Sequence, residues 1–304
     1  MAMTAKLTAV VCTFDRYDLT RDCVDALLEA RATMKESRDF EILVVDNTPP
    51  ERRKKKKWLP AGVQMVTCDT AGLSHARNCG ISNSTGRLIA FIDDDALPAK
   101  DWPLRVIEFF DTHEDALAVG GYIEPLFDGC ERPEWLDVQL TAYLSCLDYG
   151  PDCRPLRAGE YIVGANMAFR REVFEENGVF DVKLGRQGNA GLLSNEEIHL
   201  FKKIERSTYY DPSIKVLHRI PPGRTQQAWF RRRVVWQAVS DHLSGIVEPA
   251  KTVQASWKQC VMAAPAETRT LRLLHEPCAT AEEFHQQLSA IYFHTQWGLM
   301  GFAD

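Results

Sequence analysis

Residues 88–98 read LIAFIDDDALP, and this stretch decides the fold class. Its first half, Leu88 to Ile92, is continuously apolar, as a strand buried on both faces of a parallel sheet requires. Its second half sets Asp93, Asp94 and Asp95 at the strand's carboxyl end, where open α/β sheets bind their ligands. Like charges this close repel one another unless something positive sits among them. Asp93 and Asp95 flank one residue, so both reach toward a single hard divalent cation. Oxygen ligation selects Mg²⁺, Mn²⁺ or Ca²⁺ over zinc. Mg²⁺ usually shares its shell with substrate phosphates, so a diphosphate ligand is implied.

Three similar stretches lie upstream: Leu7–Thr13 (LTAVVCT), Glu41–Asp46 (EILVVD) and Val63–Cys68. Between the first two, Leu19, Cys23, Leu27 and Leu28 recur at helical spacing, with Asp18 placed to cap the helix. Gly72 to Asn83 reads as a loop entering a helix that stops at Gly86. This alternation predicts a doubly wound α/β sheet. Polar residues fall at the strand ends: Thr13 and Asp15, Asp46 and Asn47, then the Asp triplet. Each also has a plain reading as turn residues, and for the triplet the functional reading is favoured over it.

Further along, Gly120–Pro125 reads as a strand and 126–160 as a connection. Tyr161–Arg170 is a strand with a helix behind it, stopped near Gly178. Gly185–Asn195 is Gly-rich and polar, a loop; Glu196–Arg206 is helical; Ile214–Leu217 is a short strand ending at His218. From Pro221 the composition turns to Arg, Gln and Trp, then to helical segments through Asp304. On a helical wheel Ala228, Trp229, Val235, Trp236, Val239 and Leu243 share one apolar arc. Arg231 and Arg233 lie outside it and Arg232 interrupts it. That segment either packs on the rest of the chain or forms a platform for an acceptor.

The 304 residues carry 36 basic and 42 acidic side chains, a net charge of −6, which argues against a general nucleic-acid binder. No run approaches the ~18 apolar residues of a membrane span, and the amino terminus is too polar for a signal peptide, so the expected location is cytoplasmic. The nine cysteines include no Cys-x-x-Cys pair and read as free thiols. The run ERRKKKKW at 51–58 is either a solvated loop or a contact for anionic lipid at the inner face of the membrane. No phosphate-binding Gly-x-x-x-x-Gly-Lys-Ser/Thr or Gly-x-Gly-x-x-Gly stretch is present, which weakens an ATPase or dinucleotide reading.

VVCTFDR, VVDNT, GLSHARNCGI, FIDDDALP, GANMAFRREVFEENGVFD and NEEIHL, in this order, resemble family 2 glycosyltransferases of GT-A fold. The resemblance covers roughly residues 7–220. It implies a Rossmann-like doubly wound mixed sheet in a catalytic domain, 1–220, with a nucleotide-binding half (about 1–125) and an acceptor half (126–220). Residues 221–304 would then be a helical carboxy-terminal extension. The implied reaction moves a sugar from a UDP-sugar to a hydroxyl of a glycan, lipid-linked or small-molecule acceptor, with inversion.

Residue by residue, the resemblance makes Asp95 the principal ligand of Mg²⁺ or Mn²⁺, with Asp93 and His218 completing the site. Asp46 reads the uracil edge, while Thr13, Asp15, Arg77, Asp93 and Asp94 contact the nucleotide-sugar. The match would make Glu197 the catalytic base, with Glu196 as the alternative. Glu196 and Asn166 would contact the acceptor; Trp229, beyond the reach of the resemblance, is an acceptor candidate through the platform reading of its helix. The family commonly has Glu-Asp where NEEIHL has Glu-Glu, one methylene longer at the base. That departure keeps open a non-catalytic nucleotide-sugar-binding relative; a nucleotidyltransferase would share the carboxylate–metal site but would normally show a Gly-rich triphosphate loop, which this sequence lacks. The oligomeric state is not implied by any of these residues.

Overall fold

The structure is a computed structural model describing residues 5–54, 58–186, 191–204, 207–264 and 274–301. The chain divides into two compact units. The first (1–126, 145–188 and 196–219) is built on a mixed sheet. β1 (Ala5–Thr13), β2 (Phe40–Asp46), β3 (Gln64–Thr67) and β4 (Gly86–Asp93) lie parallel in the order β3-β2-β1-β4. Beyond β4 come β8 (Asn166–Arg170), β6 (Ala118–Phe127), β9 (Thr208–Ile220) and β5 (Ala96–Pro98), with the two-residue β7 (Arg154–Pro155) also on β9. β8 runs antiparallel to β4, so the sheet changes direction beside the Asp triplet.

Alternate residues of each buried strand face opposite layers. Leu7, Ala9 and Val11 of β1 join Leu88, Ala90 and Ile92 of β4 in one core, which includes Cys23, Val24 and Leu27 of α1 (Tyr17–Ala32) and Trp102, Val106 and Phe110 of α3 (Trp102–Thr112). Val10, Ile89 and Phe91 face the other, with Ala76 and Ile81 of α2 (Leu73–Asn83) and Phe174 of α4 (Glu172–Asn177). Helices on both faces explain why these strands read as unbroken apolar runs.

Several local expectations change. α1 starts at Tyr17 with Arg16 in the cap position, so Asp18 lies within the first turn and is not the cap. α2 ends at Asn83, and Gly86 opens β4 instead of stopping the helix. A Cβ at Gly86 would lie 2.6 Å from the Thr8 nitrogen, so this glycine permits the close approach of β1. Only Asn166–Arg170 of 161–170 is strand, and the short strand before His218 is part of the longer β9. α5 covers Ile198–Ile204, and Arg206 lies outside the described residues.

The second unit (127–144, 189–195 and 220–304) holds α6 (Gln227–Leu243), α7 (Ala250–Ala263) and α8 (Ala281–Met300). Thr280 caps α8 in a reciprocal box with Glu283. The expected boundary at 220 is therefore incomplete, because 127–144 belongs with the carboxy-terminal helices. The Trp135 ring lies edge-on to Phe230 and Phe284, at 5.4 and 4.9 Å, and His285 pairs with Asp137 at 2.8 Å. The apolar arc read on the helical wheel is not the buried face of α6. Phe230, Val234 and Ala238 are buried, whereas Ala228, Val235 and Leu243 are exposed.

Candidate active site

Asp93 ends β4, and Asp94 and Asp95 turn the chain into β5. β5 pairs with β9 so that Ala96 stands opposite His218, and this register brings the histidine to the triplet. His218 Nε2 lies 3.2 Å from Asp95 Oδ1, with both side chains buried. One ligand atom each from Asp93, Asp95 and His218 falls within 4.8 Å of the others. The structure thus brings together the three residues expected to share a cation.

The positive charge that the triplet demands is Arg16, which sequence reading passed over. Its Nη1 donates to Asp95 Oδ2 at 2.7 Å, and its Nε and Nη2 clasp the Asp94 carboxylate. The signal was present in VVCTFDR: a cation beyond the neighbouring strand's carboxyl end, in a site needing one. Asp94 is fully buried under this guanidinium rather than open toward a ligand. Burial pushes its carboxyl up to about 7, against the pull of Arg16 and in concert with Asp95 and Asp93.

Thr13 is buried and accepts a hydrogen bond from Thr20 Oγ1 at 2.7 Å. Asp46 is fully buried, its carboxylate accepting from Tyr17 Oη at 3.1 Å and from the Thr48 backbone N–H at 3.0 Å. Asp15 adopts φ 57°, a left-handed conformation unusual outside glycine, and its N–H donates to Thr48 Oγ1 at 2.8 Å. These contacts tie the ends of β1 and β2 into one rim. Asn47 extends it by donating to the carbonyls of Cys68 and Thr70 and accepting from the Gly72 N–H.

Arg77, on α2, is 3% exposed and donates from Nη1 to both Glu196 Oε1 and Glu197 Oε1 at 2.9 Å. Its Nη2 stands 4.0 Å from Asp93 Oδ1, and its guanidinium lies over the rings of Phe180 and Phe91. Burial works against its charge, but Glu197, Glu196 and Asp93 together hold it firmly protonated. Burial and then the Glu196 charge push the Glu197 carboxyl up to about 7, despite Arg77. Glu196 is the more enclosed of the two, and Glu197 the more open to solvent. Asp93, Arg77 and Glu197 therefore form a continuous charged chain from the metal-ligand cluster to the candidate base.

Within GANMAF, the structure gives Asn166 and Gly164 distinct places. Asn166, expected at the acceptor, is buried with its amide fully engaged. Its Oδ1 accepts from Trp102 Nε1 at 2.9 Å, and its Nδ2 donates to the carbonyls of Ile214 and Tyr122. It fastens strands and α3 and presents no face to an acceptor. Gly164, not singled out from sequence, is the residue at the site. A Cβ there would lie 1.9 Å from Arg77 Nη2 and 3.0 Å from Glu197 Oε1. Gly164→Ala must displace the guanidinium, and a misplacement of about 1 Å can cost ~100-fold in rate. We expect steady-state transfer to fall by about that factor while nucleotide binding, followed by calorimetry, is retained.

Trp229 belongs to the second unit, half-buried and edge-on to Phe230 at 5.2 Å. In the basic run, Arg52 pairs with Asp15, Arg53 pairs with Asp69 at 2.8 Å, and Lys54 lies over the Tyr17 ring. These contacts favour the solvated-loop reading for the described part of the run; Lys55–Lys57 lie outside the described residues.

With this geometry in place, comparison with known proteins becomes decisive. Residues 8–178, more than half the chain, match the family described as Glycosyl transferase family 2. The chain belongs to that family. It is a glycosyltransferase, with the GT-A-like mixed sheet and helical carboxy-terminal region expected from its sequence. It is 26% identical over 304 aligned residues to the glucosyl-dolichyl phosphate glucuronosyltransferase of Haloferax volcanii, covering 95% of this chain and 93% of that one. Its fold resembles the mannosyltransferase PcManGT from Pyrobaculum calidifontis, solved with GDP-Man and Mn²⁺ (TM-score 0.54, 17% identity, 99% of this chain and 76% of that one). It also resembles TarS from S. aureus, solved with UDP (TM-score 0.51, 13% identity, 98% and 92%).

Proposed function

We propose that this glycosyltransferase transfers a sugar from a UDP-sugar to a hydroxyl of a lipid-linked glycan, with inversion at the anomeric carbon. The observation that carries the reading is the connected pair of sites: a two-carboxylate, one-imidazole cluster joined through Arg77 to a glutamate pushed up to about 7. The donor set suits Mn²⁺ or Mg²⁺, which Asp93, Asp95 and His218 would hold. Such an ion supplies charge neutralisation for a departing nucleoside diphosphate. Arg77 adds fixed positive charge on the same side. Glu197, on the opposite arm of Arg77, takes the acceptor's proton as its oxygen attacks. Glu196 holds Arg77 from beneath and keeps it aimed at Glu197.

The UDP assignment rests on Asp46 at the end of β2, the position that the family resemblance connects with the uracil edge. A lipid-linked acceptor is supported by the name and near full-length coverage of the Haloferax volcanii relative. Among the described residues no helix is long and apolar enough to cross a membrane, so contact with a carrier would be peripheral at the inner face. The deciding experiment measures release of nucleoside diphosphate from a panel of UDP- and GDP-sugars, with Mg²⁺ or Mn²⁺, with and without a lipid-linked acceptor. Acceptor-dependent UDP release supports the reading; donor binding without turnover under any acceptor would replace it with a non-catalytic one.

Acceptor choice is assigned to the exposed face of α6. Trp229 is half-buried and Arg232 exposed, and neither belongs to the Phe230–Val234–Ala238 face that forms the core of that unit. The W229A/R232A double variant is expected to raise the acceptor KM about tenfold or more, through the loss of one aromatic and one charged contact. Donor affinity should be unchanged by isothermal titration. Wild-type acceptor kinetics in the folded double variant would remove α6 from the acceptor site.

A further inference from the structure

Beyond balancing the charge of the triplet, Arg16 has no part in the reaction described so far, yet it makes the closest charged contacts in the cluster. It projects from the amino terminus of α1, where its carbonyl is fixed by the Thr20 N–H at 2.9 Å and the Thr20 hydroxyl at 2.8 Å. The side chain is 36% exposed at its outer edge, while the Asp94 and Asp95 carboxylates it holds are 0% and 5% exposed. It divides Asp95 with His218: Arg16 engages Oδ2 at 2.7 Å and the imidazole lies 3.2 Å from Oδ1. A divalent ion entering the Asp93–Asp95–His218 cluster therefore meets a carboxylate already engaged by a guanidinium. Two positive groups would then share Asp95.

We propose that Arg16 competes with the divalent cation for Asp95 and, when displaced, becomes a ligand of the donor's diphosphate. Three features support the exchange. Among the described residues whose side chains contact the cluster, Arg16 combines permanent charge with a part-exposed side chain that has room to move. Asp94 gives it an anchor on the far side, so losing Asp95 does not strand the guanidinium. A planar fork suits a phosphate as well as a carboxylate. The consequence is thermodynamic coupling. The empty site resists a lone cation, and the pair of cation and nucleotide binds better than either alone.

This inference rests on the metal site proposed above, and the test separates the two. Mn²⁺ binding is titrated by electron paramagnetic resonance with and without UDP, using the wild type, Arg16→Gln, Arg16→Lys and Asp95→Asn. Folding of each is verified by thermal denaturation. Arg16→Gln should bind Mn²⁺ about tenfold tighter than wild type without nucleotide, a size typical of such couplings. The same variant should bind UDP about tenfold more weakly at saturating Mn²⁺. Arg16→Lys, which keeps the charge but loses the fork, should fall between. Unchanged or weaker Mn²⁺ binding by Arg16→Gln, with a wild type that does bind Mn²⁺, overturns the competition alone. Failure of the wild type to bind Mn²⁺ with or without UDP overturns the metal site, and the competition with it.

Discussion

Glu197→Gln is expected to lose about three orders of magnitude in transfer, within the ~10²–10⁴ range of positioned general bases, while donor binding stays within about twofold. The amide keeps the size of the side chain and can still meet Arg77, but it cannot accept the acceptor's proton. The pH profile distinguishes a base from a structural glutamate. Glu197 works as a base only when ionised, and its carboxyl is pushed up to about 7 by burial and by Glu196. Wild-type kcat/KM should therefore rise with pH through about 7 and level off above it, and that limb should vanish in Glu197→Gln. Glu196→Gln should instead lower the apparent pKa of the limb, because it removes the neighbouring charge that disfavours ionisation. A Glu197→Gln variant with wild-type turnover would transfer the base role to another residue.

The parts of this protein that can be read from its sequence are those governed by local pattern. β1, β2 and β4 are unbroken apolar runs ending in polar residues because both faces of the sheet are covered, and the carboxyl ends of the strands face one rim. The Asp triplet advertised a cation site for the same reason. What could not be read depends on which distant segments meet. The buried face of α6 is chosen by Trp135 and Phe284, which lie 95 residues before and 54 residues after Phe230. A helical wheel, weighing apolarity alone, selected the other face. In GANMAF the polar residue drew attention, but side-chain chemistry was the wrong guide. Asn166 holds strands together, and Gly164 matters for the Cβ it lacks beside Arg77. Arg16 was missed because its partners follow it by 78 and 79 positions.

Removal of the divalent cation should have an effect as large as loss of the base. Chelation with excess EDTA followed by gel filtration is expected to reduce transfer to background, and Mn²⁺ or Mg²⁺ to restore it. The departing diphosphate carries charge that Arg77 and Arg16 must then neutralise without the ion, and an ion at such a site is worth several kcal/mol of transition-state stabilisation. Asp95→Asn should act in the same direction with a different signature. It leaves Asp93 and His218 in place, so binding weakens without disappearing. Even residues that only orient metal ligands cost ~10–100-fold in affinity when mutated, which places loss of a direct ligand near or beyond about 100-fold. The variant should therefore recover part of its activity at high Mn²⁺, whereas excess metal should restore none of the activity lost in Glu197→Gln. That contrast identifies which arm of the Asp93–Arg77–Glu197 chain has been cut. Full activity in metal-free wild type would show that Arg77 and Arg16 supply all the positive charge the leaving group needs, and the cluster of Asp93, Asp95 and His218 would then be structural.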